Sequence, residues 1–146
     1  LKKNNFFRGG CMLQFYFLSV ILNVLTGISL VYMKKGVDSE TDKTQELFES
    51  SNFKLIAGIL TSFTAVMKLL SVLPGDVPVA GDLIPVLAGL AGGITLLLDY
   101  YKEKSSVDLQ LPQILQTLFT KGRVYVGYAC IGAAVLHFLL PKVLFL

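Results

Sequence analysis

Leu83–Leu98 reads LIPVLAGLAGGITLLL, a run without a single charged side chain. Asp82 precedes it as a helix N-cap. Pro85 falls in the first turn, where a missing N–H costs little. Tyr100 and Tyr101 follow as aromatic anchors of the kind that sit at a membrane–water boundary. A spanning helix takes about 20 residues, with a range of about 17–25. This run is a short span, and it sets the class of the whole chain: apolar helices in an apolar solvent.

Three more runs agree with it. Cys11–Met33 is interrupted only by Gln14, Ser19, Asn23, Thr26 and Ser29, and ends in Lys34-Lys35-Gly36. Cations and a glycine are favoured there by the helix C-terminus. Leu55–Leu73 stops at Pro74-Gly75, and Val124–Leu140 stops at Pro141. Barrel strands would alternate over about ten residues, and none of these runs does. Across the 146 residues 53% are hydrophobic and 16% charged, with a mean hydropathy of +0.65. Soluble domains carry about 25% charge. Intrinsic disorder and a basic nucleic-acid binder are excluded with the soluble globule, since no basic stripe with interleaved aromatics exists.

The first residue is Leu1 rather than Met, which leaves an upstream segment open. Lys2, Lys3 and Arg8 before an apolar run resemble a signal peptide. The run is too long for a signal core, however, and no A-x-A site follows, so an uncleaved helix is expected. Cys11 and Cys130 read as small apolar residues, without disulfide or metal spacing.

The linkers differ in character. Residues 34–54 are polar and mixed in charge, with a short surface helix expected over Thr41–Ser50. Residues 74–82 form a tight hairpin with Asp76 and Asp82, making the second and third spans antiparallel neighbours. Residues 99–123 hold the best periodic pattern of the chain. Leu111, Ile114, Leu115, Leu118 and Phe119 share one face, and Gln110, Gln113, Gln116, Thr117 and Thr120 the other. An amphipathic helix of about twelve residues follows, lying in the membrane interface, with docking to a partner helix as the competing reading.

The expected fold is therefore an all-α integral membrane protein. A single domain over residues 1–146 forms a bundle of four transmembrane helices (11–33, 55–73, 83–98, 124–140) plus one amphipathic interfacial helix. The N-terminus, hairpin and C-terminus carry four Lys/Arg and the two long linkers eight, which places both linkers on the cytoplasmic side.

Within the apolar runs only Lys68 and His137 can titrate, and intramembrane ionisable groups are candidates for function. Lys68 is near the end of its span, so snorkelling to the interface, or pairing with Asp76 or Asp82, is the favoured reading. His137 reads as a hydrogen-bonded packing residue, with no second ligand at metal spacing. Small residues supply packing faces: Gly89 with Gly93, Ala88 with Gly92, Ala129 with Ala133, and Gly58 with Ser62. Such pairs let helix backbones approach closely in lipid.

No phosphate loop, H-E-x-x-H, C-x-x-C or nucleophile elbow occurs. No catalytic residue, metal or cofactor is expected, and the partners expected are membrane lipids and other transmembrane subunits. The favoured function is a non-catalytic accessory or assembly subunit of a larger membrane complex. The alternative is a small homo-oligomeric transporter or channel using Lys68 and the 74–93 region.

Overall fold

A computed structural model describes residues 3–32, 43–70, 83–106, 110 and 112–139, with side chains from Gln14 onward apart from Thr120. Among the described residues 94% are helical and no strand is present. The elements are α1 (Lys3–Tyr32), α2 (Lys43–Glu49), α3 (Ser51–Leu70), α4 (Leu83–Lys104), α5 (Gln113–Gln116) and α6 (Arg123–Leu139). A π-helical turn, Thr117–Lys121, joins α5 to α6.

Three helices are long and apolar enough to cross a membrane: Gln14–Tyr32 of α1, α3 and α4. A fourth crossing is formed only if α6 is taken together with Gln113–Phe119, from which it is bent by 62°.

Several helices begin or end away from the apolar limits, for local reasons. α3 starts at Ser51 because Ser50 caps it, its Oγ accepting from the Phe53 N–H at 3.3 Å. α4 runs past Leu98 through Tyr100 and Tyr101 to Lys104, with Lys102 and Lys104 in its last turn opposite the negative end of the helix dipole. α1 continues without a break through the basic N-terminal stretch from Lys3. Met33, the hairpin 74–82 and Leu140 lie outside the described residues.

The four long helices form a bundle with a diamond cross-section. α3 pairs closely with α4 and α1 with α6, while α1 and α4 also touch across the short diagonal. Among the described residues no Cα of α3 lies within 8 Å of one in α6. Neighbours in the sequence run antiparallel. The first turn of α3 meets the last turn of α4, where Ser51 Oγ donates to Glu103 at 2.7 Å and Lys54 Nζ at 2.8 Å. Arg123 at the start of α6 faces Asp99 of α4 at 3.4 Å.

Each close pair is clasped by two glycines. A Cβ on Gly27 would lie 2.6 Å from the Gly127 carbonyl oxygen, and one on Gly127 would lie 2.9 Å from that of Gly27. Gly58 and Gly93 face each other similarly across α3 and α4, at 3.1 and 2.9 Å to the opposing carbonyl. Backbones that approach this closely gain packing that larger side chains would prevent.

The polarity of this bundle is inverted. Ser19, Asn23, Thr26, Ser29, Thr61, Thr64, Lys68, Thr95 and His137 are buried, while Phe17, Ile21, Ile56, Ile59, Phe63, Leu70, Leu87 and Phe138 are exposed. An aliphatic cluster of Leu30, Ala57, Leu96, Val126 and Cys130 fills the interior toward the other end. There α2 lays Phe48 between Tyr32 and Phe53.

Candidate functional site: a buried lysine–histidine pair

Lys68 lies in the last turn of α3 and His137 in the last turn of α6. Their side chains meet inside the bundle, with Nζ and Nε2 2.8 Å apart and the residues 6% and 2% exposed. The contact spans the long diagonal, joining two helices whose backbones stay apart. Tyr16 of α1 completes the cluster. Its hydroxyl donates to the His137 carbonyl at 2.7 Å, and its ring stacks at a tilt on the imidazole with centroids 4.6 Å apart. The ammonium lies 5.5 Å from the centre of the same ring, within cation–π range.

This corrects the expectation that Lys68 snorkels outward. The lysine stem follows the inner face of α3, below Thr61, Thr64 and Ala65, so the ammonium is delivered inward. It meets His137 Nε2 there, the donor and acceptor roles following the imidazole tautomer. The other candidates for pairing, Asp76 and Asp82, lie outside the described residues.

Deeper in the bundle, α1 carries a ladder of polar groups at helical spacing. Asn23 Nδ2 donates to the Pro85 carbonyl at 3.2 Å, in the first turn of α4. Thr26 and Thr61 share a hydrogen bond of 2.9 Å between α1 and α3. Thr95 bonds within its own helix, to the Ala91 carbonyl at 2.6 Å. Cys130 Sγ donates to the Ala88 carbonyl at 3.1 Å, joining α6 to α4. Asn23 Oδ1, Ser29 Oγ and Ser62 Oγ are buried without a hydrogen-bond partner among the described residues. The Asn23 oxygen points at Gly89, where a Cβ would lie 3.1 Å away.

The expected packing residues divide unevenly. Gly58, Gly89, Gly92 and Gly93 all sit at contacts between helices, and a Cβ on Gly93 would collide with Ser62 Oγ. Gly92 faces Thr26 and Cys130. Ala133 is buried, but Ala129 is exposed. The inward face of α6 is Val126, Gly127, Cys130, Ala133, Ala134 and His137, which turns Ala129 outward beside the exposed Gly132. Gly27 and Gly127, the clasp of α1 and α6, are not among the small pairs read from spacing. Nor is Tyr16, although Tyr16, Ser19, Asn23 and Thr26 follow one another at three- and four-residue steps that mark a single helical face.

The amphipathic segment also departs from its expectation. The twelve-residue α-helix is replaced by one α-turn and a π-helical turn. Thr117 Oγ1 bonds back to the Gln113 carbonyl at 2.8 Å, and the Gly122 N–H reaches the Thr117 carbonyl at 2.8 Å. A Cβ at Gly122 would lie 2.7 Å from the Leu118 carbonyl, so glycine permits the bend into α6. Ile114, Leu115 and Leu118 are exposed and Phe119 half-buried, while Leu111 lies outside the described residues. Among the described residues no three His, Cys, Asp or Glu side chains converge on a metal site.

A family model of unknown function matches residues 12–137. An uncharacterized protein of Treponema pallidum (strain Nichols) is 33% identical over 135 residues, covering 92% of this chain and 100% of that protein. No solved structure matches.

Proposed function

Since this chain belongs to that family of unknown function, we propose its role from its own geometry: it is an integral membrane protein that serves as a non-catalytic accessory or assembly subunit of a larger membrane complex. Membrane placement is supported by the inverted polarity. Monomeric soluble proteins rarely expose contiguous apolar patches beyond a few hundred Å², whereas here large aliphatic and aromatic residues face outward on every long helix.

The level of the charges agrees with this placement. Lys54 and Arg123, each ion-paired at one end of the bundle, lie fourteen residues from Lys68 and His137. That separation is about 21 Å at helical rise. A hydrocarbon core is about 30 Å thick, so a core that begins at Lys54 and Arg123 takes in the Lys68–His137 pair. The two long linkers are placed on the cytoplasmic side by their greater Lys/Arg content.

The observation that carries the subunit reading is the outer face of α6. Ala129 and Gly132 are both exposed, and a Cβ on Gly132 would meet nothing within 4 Å. The same helix already uses Gly127, Ala133 and Ala134 to pack inward. A second small-residue face, uncovered among the described residues, suits the close approach of a helix from another subunit. Native mass spectrometry of the protein gently extracted from its own membrane tests this. A constant set of other chains is expected, and Gly132→Leu is expected to strip them away while the bundle stays helical. A bare monomer that survives extraction refutes the reading.

A second reading is favoured by the buried Lys68–His137–Tyr16 cluster. Ionisable groups inside a membrane protein mark substrate, ion and proton pathways. On this reading the chain is a small homo-oligomeric transporter or channel. Native mass spectrometry would then give copies of this chain alone, and Lys68→Met would abolish flux in vesicles without changing their assembly.

A further inference from the structure

At the elbow between α5 and α6 the chain leaves the bundle and exposes its apolar face. An open groove of about 700 Å³ follows the inside of this segment, lined by Ile114, Thr117, Leu118, Lys121 and Tyr125. Ile114 is 81% exposed and Tyr125 78%. The volume lies within the usual range for small-molecule sites, about 300–1,000 Å³.

The groove is apolar at its wall and positive at its rim. Lys121 lines it directly, on the π-helical turn that leads into α6. Among the described residues the neighbouring acids are already engaged. Asp99 faces Arg123, and Glu103 holds Lys54 and Ser51. Charge complementarity therefore calls for an occupant with one anionic end and one apolar end.

We propose that this elbow binds an anionic phospholipid, with an acyl chain along Ile114, Leu118 and Tyr125 and the phosphate at Lys121. The proposal rests on the membrane placement argued above. On that placement Arg123 marks the entry of α6 into the bilayer, and the 62° bend turns the preceding turns toward the plane of the interface. A phosphate oxygen accepts from the Lys121 ammonium where it would sit, and Tyr125 has the amphipathic ring that favours headgroup depth. A partner helix would fill the apolar wall but would bury the Lys121 head unless it supplied an acid of its own.

The chain has no tryptophan, so Tyr125→Trp places a single reporter in the groove. The full-length variant is reconstituted into phosphatidylcholine vesicles with increasing fractions of brominated phosphatidylglycerol or brominated phosphatidylcholine, and flotation with the vesicles is recorded. Half-maximal quenching is expected at about fivefold lower mole fraction of the anionic lipid, the effect of one lysine at an anionic surface. Adding Lys121→Gln is expected to erase that difference while helix content is unchanged. Equal quenching by the two lipids in Tyr125→Trp overturns the proposal. So does absence of quenching in protein that floats with the vesicles, which would assign the groove to a protein partner. Protein left in the aqueous fraction would overturn the membrane placement itself, and the lipid site with it.

Discussion

The clasp between Gly27 and Gly127 makes a measurable demand on stability. In Gly27→Ala the new methyl would lie 2.6 Å from the Gly127 carbonyl oxygen and 2.6 Å from Ile131 Cγ1. The isoleucine can turn aside, but the carbonyl is part of the backbone of α6. Ordinary contact begins near 3.4 Å, so α1 and α6 must separate by about 0.8 Å, enough to forfeit a quarter to a half of each dispersion contact across the seam.

For one buried side chain making 40–60 such contacts, the loss is about 2–3 kcal/mol, within the range found for overpacked cores. Gly132→Ala is the matched control. It makes the same chemical change in a helix, and its methyl meets nothing within 4 Å. Both variants gain the same helix propensity, up to about 1 kcal/mol, so their difference isolates the contact. SDS titration of the protein in mild detergent micelles, followed by near-ultraviolet circular dichroism of its six tyrosines, reads that difference. Gly27→Ala is expected to be less stable than Gly132→Ala by about 2–3 kcal/mol. Equal stabilities would refute the close approach of α1 and α6.

Other expectations concern the polar interior. His137→Leu removes the hydrogen bond between the imidazole and Lys68 and should cost about 1.5–3 kcal/mol, and Lys68→Met in that background should restore part of it, as a double-mutant cycle in detergent would record. Thr26→Val removes the hydrogen bond to Thr61 with little change of shape, and equilibrium unfolding should show a loss of about 0.6–1.7 kcal/mol, the range for hydrogen bonds between membrane helices. Gly89→Ala drives a methyl against Asn23 and Ala65 and should destabilise by about 1 kcal/mol or more; combining it with Asn23→Ala should recover most of that in the same titration. Lys54→Ala at the exposed Lys54–Glu103 pair should change stability by less than about 1 kcal/mol, and a larger effect in thermal unfolding would show that this end of the bundle is tied more tightly than surface pairs are.

The long helices were legible in the sequence because an unbroken apolar run is a local property. Their ends were less so, since hydropathy marks where a helix becomes apolar and not where its hydrogen bonds begin. Ser50 starts α3 four residues before the apolar run, and α4 carries its bonds past Asp99 into Lys102 and Lys104. The glycines of α4 were readable as a packing face. On α6 the same reasoning chose Ala129, because i, i+4 spacing groups residues without saying which way the group points. The inward direction was set by Gly27 on a helix one hundred residues away. Lys68 and His137 stood out separately as ionisable groups in apolar runs, but sixty-nine residues divide them, and no local pattern pairs them. The elbow failed for a different reason. Its apolar spacing was correctly periodic, while the bend depends on Gly122 and on a back-bonded Thr117.

The pairing of α1 with α6 sets an order on biosynthesis. Chains emerge from the N-terminus, so α1 is made long before α6 exists. The hydrogen-bond partners of its buried Asn23 amide and Thr26 hydroxyl lie on α4 and α3, at Pro85 and Thr61, which are made before α6. A nascent three-helix intermediate can therefore quench the middle of α1 unaided. What it lacks is the far end: the carbonyl that receives Tyr16 and the imidazole that meets Lys68 both arrive with the last turn of α6. Synthesis of α6 and closure of the buried cluster become the same event, and a chain cut short before residue 137 lacks the contact between Lys68 Nζ and the imidazole.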